Sequence, residues 1–172
     1  MKAKMFSLLA DLYSYPDDSF IDSFREISTL CPSLKKLYST LSNLSLDEIV
    51  SHYIATFDVN RNGVKCVPYE SYWYDRRLMS NRVVDVVDFY SKCGYTVNQD
   101  EIKLPPDHIS IELAFISLLL EANQLKEAKL FCKIHLSWVE KFMTCLKNES
   151  VLYYELAQCI IKQTSEFLKE DT

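Results

Sequence analysis

Residues 109–120 constrain this chain more than any other stretch. They read Ile109-Ser110-Ile111-Glu112-Leu113-Ala114-Phe115-Ile116-Ser117-Leu118-Leu119-Leu120. Wound at helical pitch, the segment is apolar on nearly every side, which describes a helix buried in the middle of a bundle. It follows Leu104-Pro105-Pro106-Asp107-His108. The two prolines hold the incoming backbone extended and exclude helix up to that point. Asp107 then occupies the expected N-cap position, where its carboxylate accepts from the free N–H groups of the first turn. His108 falls in that first turn, where the positive end of the helix favours the neutral ring. A rigid polar loop is thus attached to the least mobile part of the core. The same residues also describe a well-capped helix start with an incidental histidine.

What surrounds this rod is expected to be helical too. The 172 residues include only 2 glycines and 5 prolines, too few turn-formers for a fold made of hairpins. The length suits one domain over residues 1–172 with a sizeable core. Met5, Leu8, Leu9 and Leu12 mark one face of a first helix. Phe20, Phe24 and Ile27 mark a second, which stops before Pro32. A third carries Leu34, Leu37, Tyr38, Leu41 and Leu44. Ser45-Leu46-Asp47-Glu48 matches a capping box and opens a fourth, with Ile49, Tyr53, Ile54 and Phe57 inward.

Residues 58–68 form the longest irregular segment and the one candidate hinge. They lead into Tyr69-Glu70-Ser71-Tyr72-Trp73-Tyr74-Asp75, where aromatic rings with polar handles either receive another chain or close the end of the bundle. The next helix spans about Asn81 to Cys93, with Val83, Val87 and Tyr90 on one face and Gly94 at its C-cap. After the central rod, Asn123-Gln124 interrupts. Leu130, Ile134, Trp138 and Phe142 then space out along one side of a further helical stretch, and a last helix carries Tyr153, Leu156, Ile160 and Phe167.

Several function classes find no support. The net charge is -5 and no basic block appears, which argues against a nucleic-acid partner. No apolar run approaches the ~20 residues of a membrane span. The apolar part of Met1–Asp11 is too short for a secretory leader. The six cysteines, none in a Cys-x-x-Cys pair, are therefore expected to be reduced thiols of a cytoplasmic protein. Gly63 and Gly94 lie too far apart to cradle a phosphate, and no cofactor is expected. Cys132 and His135 make half a zinc site without a second pair, so no metal is expected. His108 and Glu112, four residues apart, can touch, either as a general-base pair or to steady a binding loop. No serine or cysteine stands out as a nucleophile. Arg76-Arg77 is similar to a twin-arginine export signal, but it lies mid-chain without an apolar run behind it and is read as a solvated surface pair.

An ordered set of motifs carries a resemblance. It comprises Pro68-Tyr69-Glu70-Ser71-Tyr72, then Val87-Asp88-Phe89-Tyr90-Ser91-Lys92-Cys93-Gly94-Tyr95, then Pro106-Asp107-His108-Ile109 with Glu112-Leu113. Phe131, His135-Leu136-Ser137-Trp138 and Tyr153-Tyr154-Glu155-Leu156-Ala157 complete it. The set resembles the TorD/DmsD/NarJ-type redox-enzyme maturation chaperones over about Tyr53 to the end of the chain. That resemblance implies an all-α bundle of roughly nine or ten helices that is not an enzyme. It implies a cytosolic chaperone that binds the twin-arginine signal peptide, the apo-protein, or both, of a molybdopterin oxidoreductase and delays export until the cofactor is inserted. It allows a monomer or a helix-exchanged dimer. Carried over by motif, the binding positions are Tyr69, Glu70, Tyr72, Trp73, Asp107 and His108. Pro106 departs from the pattern, since several relatives have a polar or acidic residue there.

The chemistry agrees with that job. Two guanidinium groups need carboxylates, which Asp107, Glu70 and Glu112 offer, and an apolar leader needs a groove such as Tyr69, Tyr72 and Trp73 provide. Two other readings stay open: a small enzyme using His108 with Glu112 or Asp107, and a scaffold subunit built permanently into a complex.

Overall fold

The computed structural model of the chain describes residues 1–58 and 63–170. The expected hinge at 58–68 falls partly outside them, at residues 59–62. Ten α-helices and one short 3-10 turn form among the described residues, with no strand. The expected all-α bundle is therefore what the chain builds.

Helix α1 (Lys2–Tyr13) buries Met5, Leu8, Leu9 and Leu12, the face its spacing marks. That face lies along α7 (Ile109–Glu121), the apolar rod. The Ser117 hydroxyl donates to the Ala3 carbonyl at 2.8 Å and ties the two together. Tyr13 Oη donates to the Tyr153 carbonyl at 2.8 Å and ties α1 to α10 (Val151–Lys169). Helix α2 (Phe20–Leu30) covers the other flank of α1 with Phe20, Phe24 and Ile27. A 3-10 turn at Pro32–Leu34 leads into α3 (Lys35–Leu41), and α4 (Leu46–Phe57) follows.

The capping box that opens α4 is present in full. Ser45 Oγ accepts the Glu48 N–H at 3.3 Å, and Glu48 Oε2 accepts the Ser45 N–H at 2.8 Å. Beyond residues 59–62 come α5 (Glu70–Asp75), α6 (Asn81–Lys92), α8 (Leu125–His135) and α9 (Val139–Leu146). Two helices end alike. Gly94, at φ 88°, lets the Tyr95 N–H reach back to the Tyr90 carbonyl at 2.9 Å. Asn123, at φ 58°, does the same for Gln124 and the Leu119 carbonyl at 2.8 Å. Glycine and asparagine tolerate this left-handed turn best, which is why these positions stop α6 and α7.

Some expected faces shift. Helix α7 is not covered all round: Leu118 is 44% exposed, while Ile109, Leu113, Ile116 and Leu119 are sealed. On α6 the inward residues are Val83, Val86 and Tyr90, and Val87 faces out. Ile54 faces solvent rather than the core. The run through Leu130, Ile134, Trp138 and Phe142 is not one helix. The chain turns at residues 136–138, where the Val139 N–H donates to the Leu136 carbonyl at 3.1 Å. Phe131, Cys132 and His135 point inward on α8, leaving Leu130 and Ile134 outside.

The cysteines also depart from expectation. Cys66 and Cys145 are joined in a disulfide, with their Cα atoms 5.8 Å apart, because the segment before α5 crosses α9. Lys65 reinforces that crossing with an ion pair to Glu149 at 2.7 Å. The other four cysteines are free thiols, and Cys31, Cys132 and Cys159 are buried. No helix among the described residues is long and apolar enough to cross a membrane.

Leu113 sits at zero exposure in the middle of α7. Truncating such a side chain removes its transfer free energy and leaves a void. Leu113→Ala is expected to lower unfolding stability by about 2–5 kcal/mol, measured by urea denaturation. A loss within the ±0.5 kcal/mol typical of surface changes would show that α7 is not the packing centre.

Candidate functional site

Two helix starts meet beneath the aromatic segment. Tyr69 is extended, at φ -127° and ψ 131°, and pairs antiparallel with His108 in an isolated bridge. The Glu70 N–H donates to the Asp107 carbonyl at 3.0 Å, and the Ile109 N–H donates to the Pro68 carbonyl at 3.0 Å. The first residues of α5 and α7 are thereby locked together. Contrary to expectation, the two prolines do not hold this stretch extended; the His108 N–H donates to the Pro105 carbonyl at 3.0 Å, and a turn with Pro106 at its second position delivers His108 to the bridge. Tyr90 Oη pins the Pro106 carbonyl at 2.9 Å, and Trp73 Nε1 pins the Val67 carbonyl at 2.7 Å.

The caps are exchanged relative to expectation. His108, not Asp107, is the N-cap of α7: its Nδ1 accepts the Ser110 N–H at 3.2 Å. The Asp107 carboxylate turns away to α5, where Oδ2 accepts the Ser71 N–H at 2.9 Å. An antiparallel bridge sends neighbouring side chains to opposite sides, so each of the two residues serves a different helix. His108 is neutral as expected, but burial is the cause: it pushes the ring down to about 3. The expected ring-to-carboxyl contact with Glu112 is not made, and only the Glu112 N–H donates to the His108 carbonyl at 3.1 Å; Ser110 Oγ lies against the ring Nδ1 at 2.7 Å instead. The Tyr69 ring meets the His108 ring edge-on, with centroids 5.1 Å apart.

Glu70 and Glu112 lie underneath, both fully buried. Glu70 Oε1 accepts Arg82 Nε at 2.8 Å and lies 2.7 Å from Arg82 Nη2. His135 Nδ1 lies 3.0 Å from Glu70 Oε2 and donates to it. Arg82 stacks over the Tyr74 ring at 4.2 Å and donates from Nη2 to the Ile134 carbonyl at 2.6 Å. Glu112 Oε2 accepts Trp138 Nε1 at 3.1 Å. Burial first, and the nearby Glu70 charge second, hold the Glu112 carboxyl well above the usual carboxylate range. Glu112 is therefore a neutral acid wedged beside Glu70.

Above this layer lies a small hollow of about 100 Å³ between Tyr69, Ser71, Leu78, Met79, Pro105 and Asp107. Asp107 Oδ1 and Ser71 Oγ are buried and have no hydrogen-bond partner. Larger hollows exist, of about 450 Å³ beside α3 and α4 and about 430 Å³ between α8 and α10. Neither is lined by a buried carboxylate oxygen without a partner, so the small hollow is the stronger candidate. An ionised oxygen without a donor carries a large desolvation cost, which a guanidinium or ammonium group would relieve.

Tyr69, Asp107 and His108 are thus in direct contact. Trp73 and half-buried Tyr72 stand next along α5, their rings 5.5 Å apart. Glu70 has internal partners on both oxygens, Glu112 has one on Oε2 while its Oε1 is buried without a partner, and neither residue faces solvent. Leu78, Met79 and Arg82 were not foreseen, and Ser71 belonged to the resemblance without a role. Glu70 and Arg82 are 12 residues apart across a turn, a spacing that no helical or strand rule pairs. His135 and Trp138 belonged to the resemblance, without a role. A buried acid in α5 that needs a donor was the signal that could have found them.

If Glu112 is neutral in the fold and ionised in the open chain, stability is full below about its ordinary value of 4.5 and falls as pH rises past it. Glu112→Gln keeps an acceptor for Trp138 and removes that proton. In urea titrations at about pH 5 and about pH 8, the variant is expected to gain on the native protein as pH rises. Parallel behaviour at both values would show that Glu112 is ionised in the fold.

The comparisons with known proteins agree. Residues 24–144 match the family model described as "Nitrate reductase delta subunit". A curated relative from Bacillus subtilis, named "Probable nitrate reductase molybdenum cofactor assembly chaperone NarJ", is 23% identical over 91% of this chain and 85% of its own length. A crystal structure from Archaeoglobus fulgidus, assigned as a redox enzyme maturation protein, superposes with a TM-score of 0.69. It is 25% identical and the match covers 93% of this chain and 91% of that one. Both relatives are named for assembly or maturation rather than for catalysis. With a family model spanning well over half its length, this chain belongs to the nitrate reductase delta subunit family of molybdoenzyme assembly chaperones.

Proposed function

We propose that the chain holds the cationic, apolar leader of a molybdopterin oxidoreductase, a twin-arginine signal peptide, until the cofactor is in place. The apo form of the enzyme is the wider surface it covers. The observation that carries this reading is the unpartnered Asp107 Oδ1 in a hollow with Tyr69, Ser71 and Pro105 beside it. A carboxylate without a donor is complementary to a guanidinium, and the Tyr69 ring and Pro105 beside it suit the apolar residues that follow. Half-buried Tyr72 extends that surface along α5, backed by the buried Trp73 ring.

Glu70 and Glu112 act differently in this reading from Asp107. Glu70 already has Arg82 and His135, and Glu112, kept uncharged by burial, has Trp138, so they hold α5 in place and leave the cation to Asp107. His108 keeps the start of α7 rigid as a neutral cap and presents its ring to Tyr69. Such a site binds reversibly, because one cationic contact and a modest apolar area give limited affinity. Release to an export apparatus requires that.

A second reading rests on the family description itself, which names a subunit. A fixed subunit would co-purify with its enzyme in constant ratio, whereas a chaperone would leave the mature complex.

Asp107→Asn keeps an oxygen for the Ser71 N–H and removes the charge. In calorimetric titration with a twin-arginine peptide, the variant is expected to bind about 10–100-fold more weakly, the range for losing one hydrogen bond to a charged group, with little change in melting temperature. Equal affinity would overturn the assignment of the arginine to Asp107. No binding of any such peptide by the native chain would overturn the reading as a whole.

A further inference from the structure

The loop from Arg76 to Met79, between α5 and α6, places two cations and then two apolar residues beside the hollow that Asp107 lines. Leu78 and Met79 line that hollow directly. They are nonetheless 50% and 66% exposed, so the contact is loose. The backbone is unusual at both ends. Arg76, at φ 53°, and Met79, at φ 53°, are left-handed without being glycine. Side chains with a Cβ rarely adopt this conformation, and it persists only where the surroundings enforce it.

The surroundings do so from the two flanks. The Arg76 N–H closes α5 onto the Tyr72 carbonyl at 2.9 Å. Its guanidinium lies over the Tyr72 and Trp73 rings, 5.7 and 5.8 Å from their centroids. On the far side Ser80 is buried and caps α6, accepting the Arg82 N–H at 3.3 Å. Arg82 is in turn fixed by Glu70. The loop is thus a short strap with anchored ends and an exposed middle. Among the described residues neither Arg76 nor Arg77 forms an ion pair, so neither neutralises Asp107.

We propose that Arg76–Met79 is an internal stand-in for the leader peptide, lying over the hollow with Leu78 and Met79 and occupying the Tyr72 and Trp73 rings with Arg76, and that a client must displace it. This rests on the site reading above and deepens it. The order of chemistry, two guanidinium groups and then apolar residues, is the order the hollow and the rings are suited to take. A leader that reaches Asp107 offers a charge contact that the strap does not make, and displacing the strap relieves its left-handed backbone. A client without a cation gains neither advantage, so the strap rejects apolar segments that lack arginines. Such a strap lowers apparent affinity by the fraction of molecules in which it is open.

The test is fluorescence anisotropy on the full chain, with a tagged synthetic peptide carrying two adjacent arginines followed by a leucine-rich stretch. The double variant Leu78→Ser with Met79→Ser changes two exposed side chains and retains the fold. It is expected to bind the peptide about tenfold more tightly than the native chain, the gain for a strap closed nine-tenths of the time. It is also expected to bind a version of the peptide with both arginines replaced by glutamine more tightly than the native chain does. Equal or weaker binding of the arginine peptide by the variant overturns the strap and leaves the site reading standing. Binding by neither protein overturns both.

Discussion

Every helix start leaves N–H groups that need acceptors, and in this fold two such starts share one solution. The Tyr69–His108 bridge brings the beginnings of α5 and α7 side by side, and adjacent residues of one loop cap one helix each. Asp107 serves α5 and His108 serves α7. The rest of the site depends on this exchange. It fixes α5 although that helix has only six residues and little helical stability of its own. It also directs Glu70 inward and leaves one oxygen of Asp107 without a partner. A cap made wholly within α7 would have left α5 unheld.

The layer below is electrostatically costly and structurally specific. Burying two carboxyls and an arginine gains little net stability over apolar packing, because the charges lose their water. What such a group supplies is uniqueness. Glu70 reaches Arg82 of α6 and His135 of α8, and Glu112 of α7 reaches Trp138 just before α9. Five helices therefore have one mutual arrangement that makes these pairings, although Glu112 Oε1 stays without a partner. A neutral Glu112 makes this tolerable, since two ionised carboxylates at that depth would repel strongly.

Much of the architecture was legible in local chemistry. The Ser45–Glu48 box, the stops at Gly94 and Asn123, and the apolar face of α1 are each set within a few residues. The site was legible in part. Pro105 and Pro106 announced a rigid loop, and the aromatic cluster announced a contact surface. The resemblance put the two together before their adjacency was known. What failed was non-local. Asp107 caps a helix 36 residues earlier in sequence, which no capping rule can anticipate. Cys66 meets Cys145 across 79 residues, so a reading by spacing left both as free thiols. The turn after His135 breaks a plausible periodicity, and the residues that face inward there do so to meet acids from α5 and α7.

The embrace of α1 by α7 and α10 carries a cost during synthesis. Tyr13 does not find the Tyr153 carbonyl until 140 further residues have been made. At ribosomal speeds that delay is on the order of ten seconds. For most of it, until α7 emerges, the greasy side of the first helix has only α2 beside it. A protein whose relatives are named for assisting the assembly of others thus begins life as an unfinished chain in need of shelter itself.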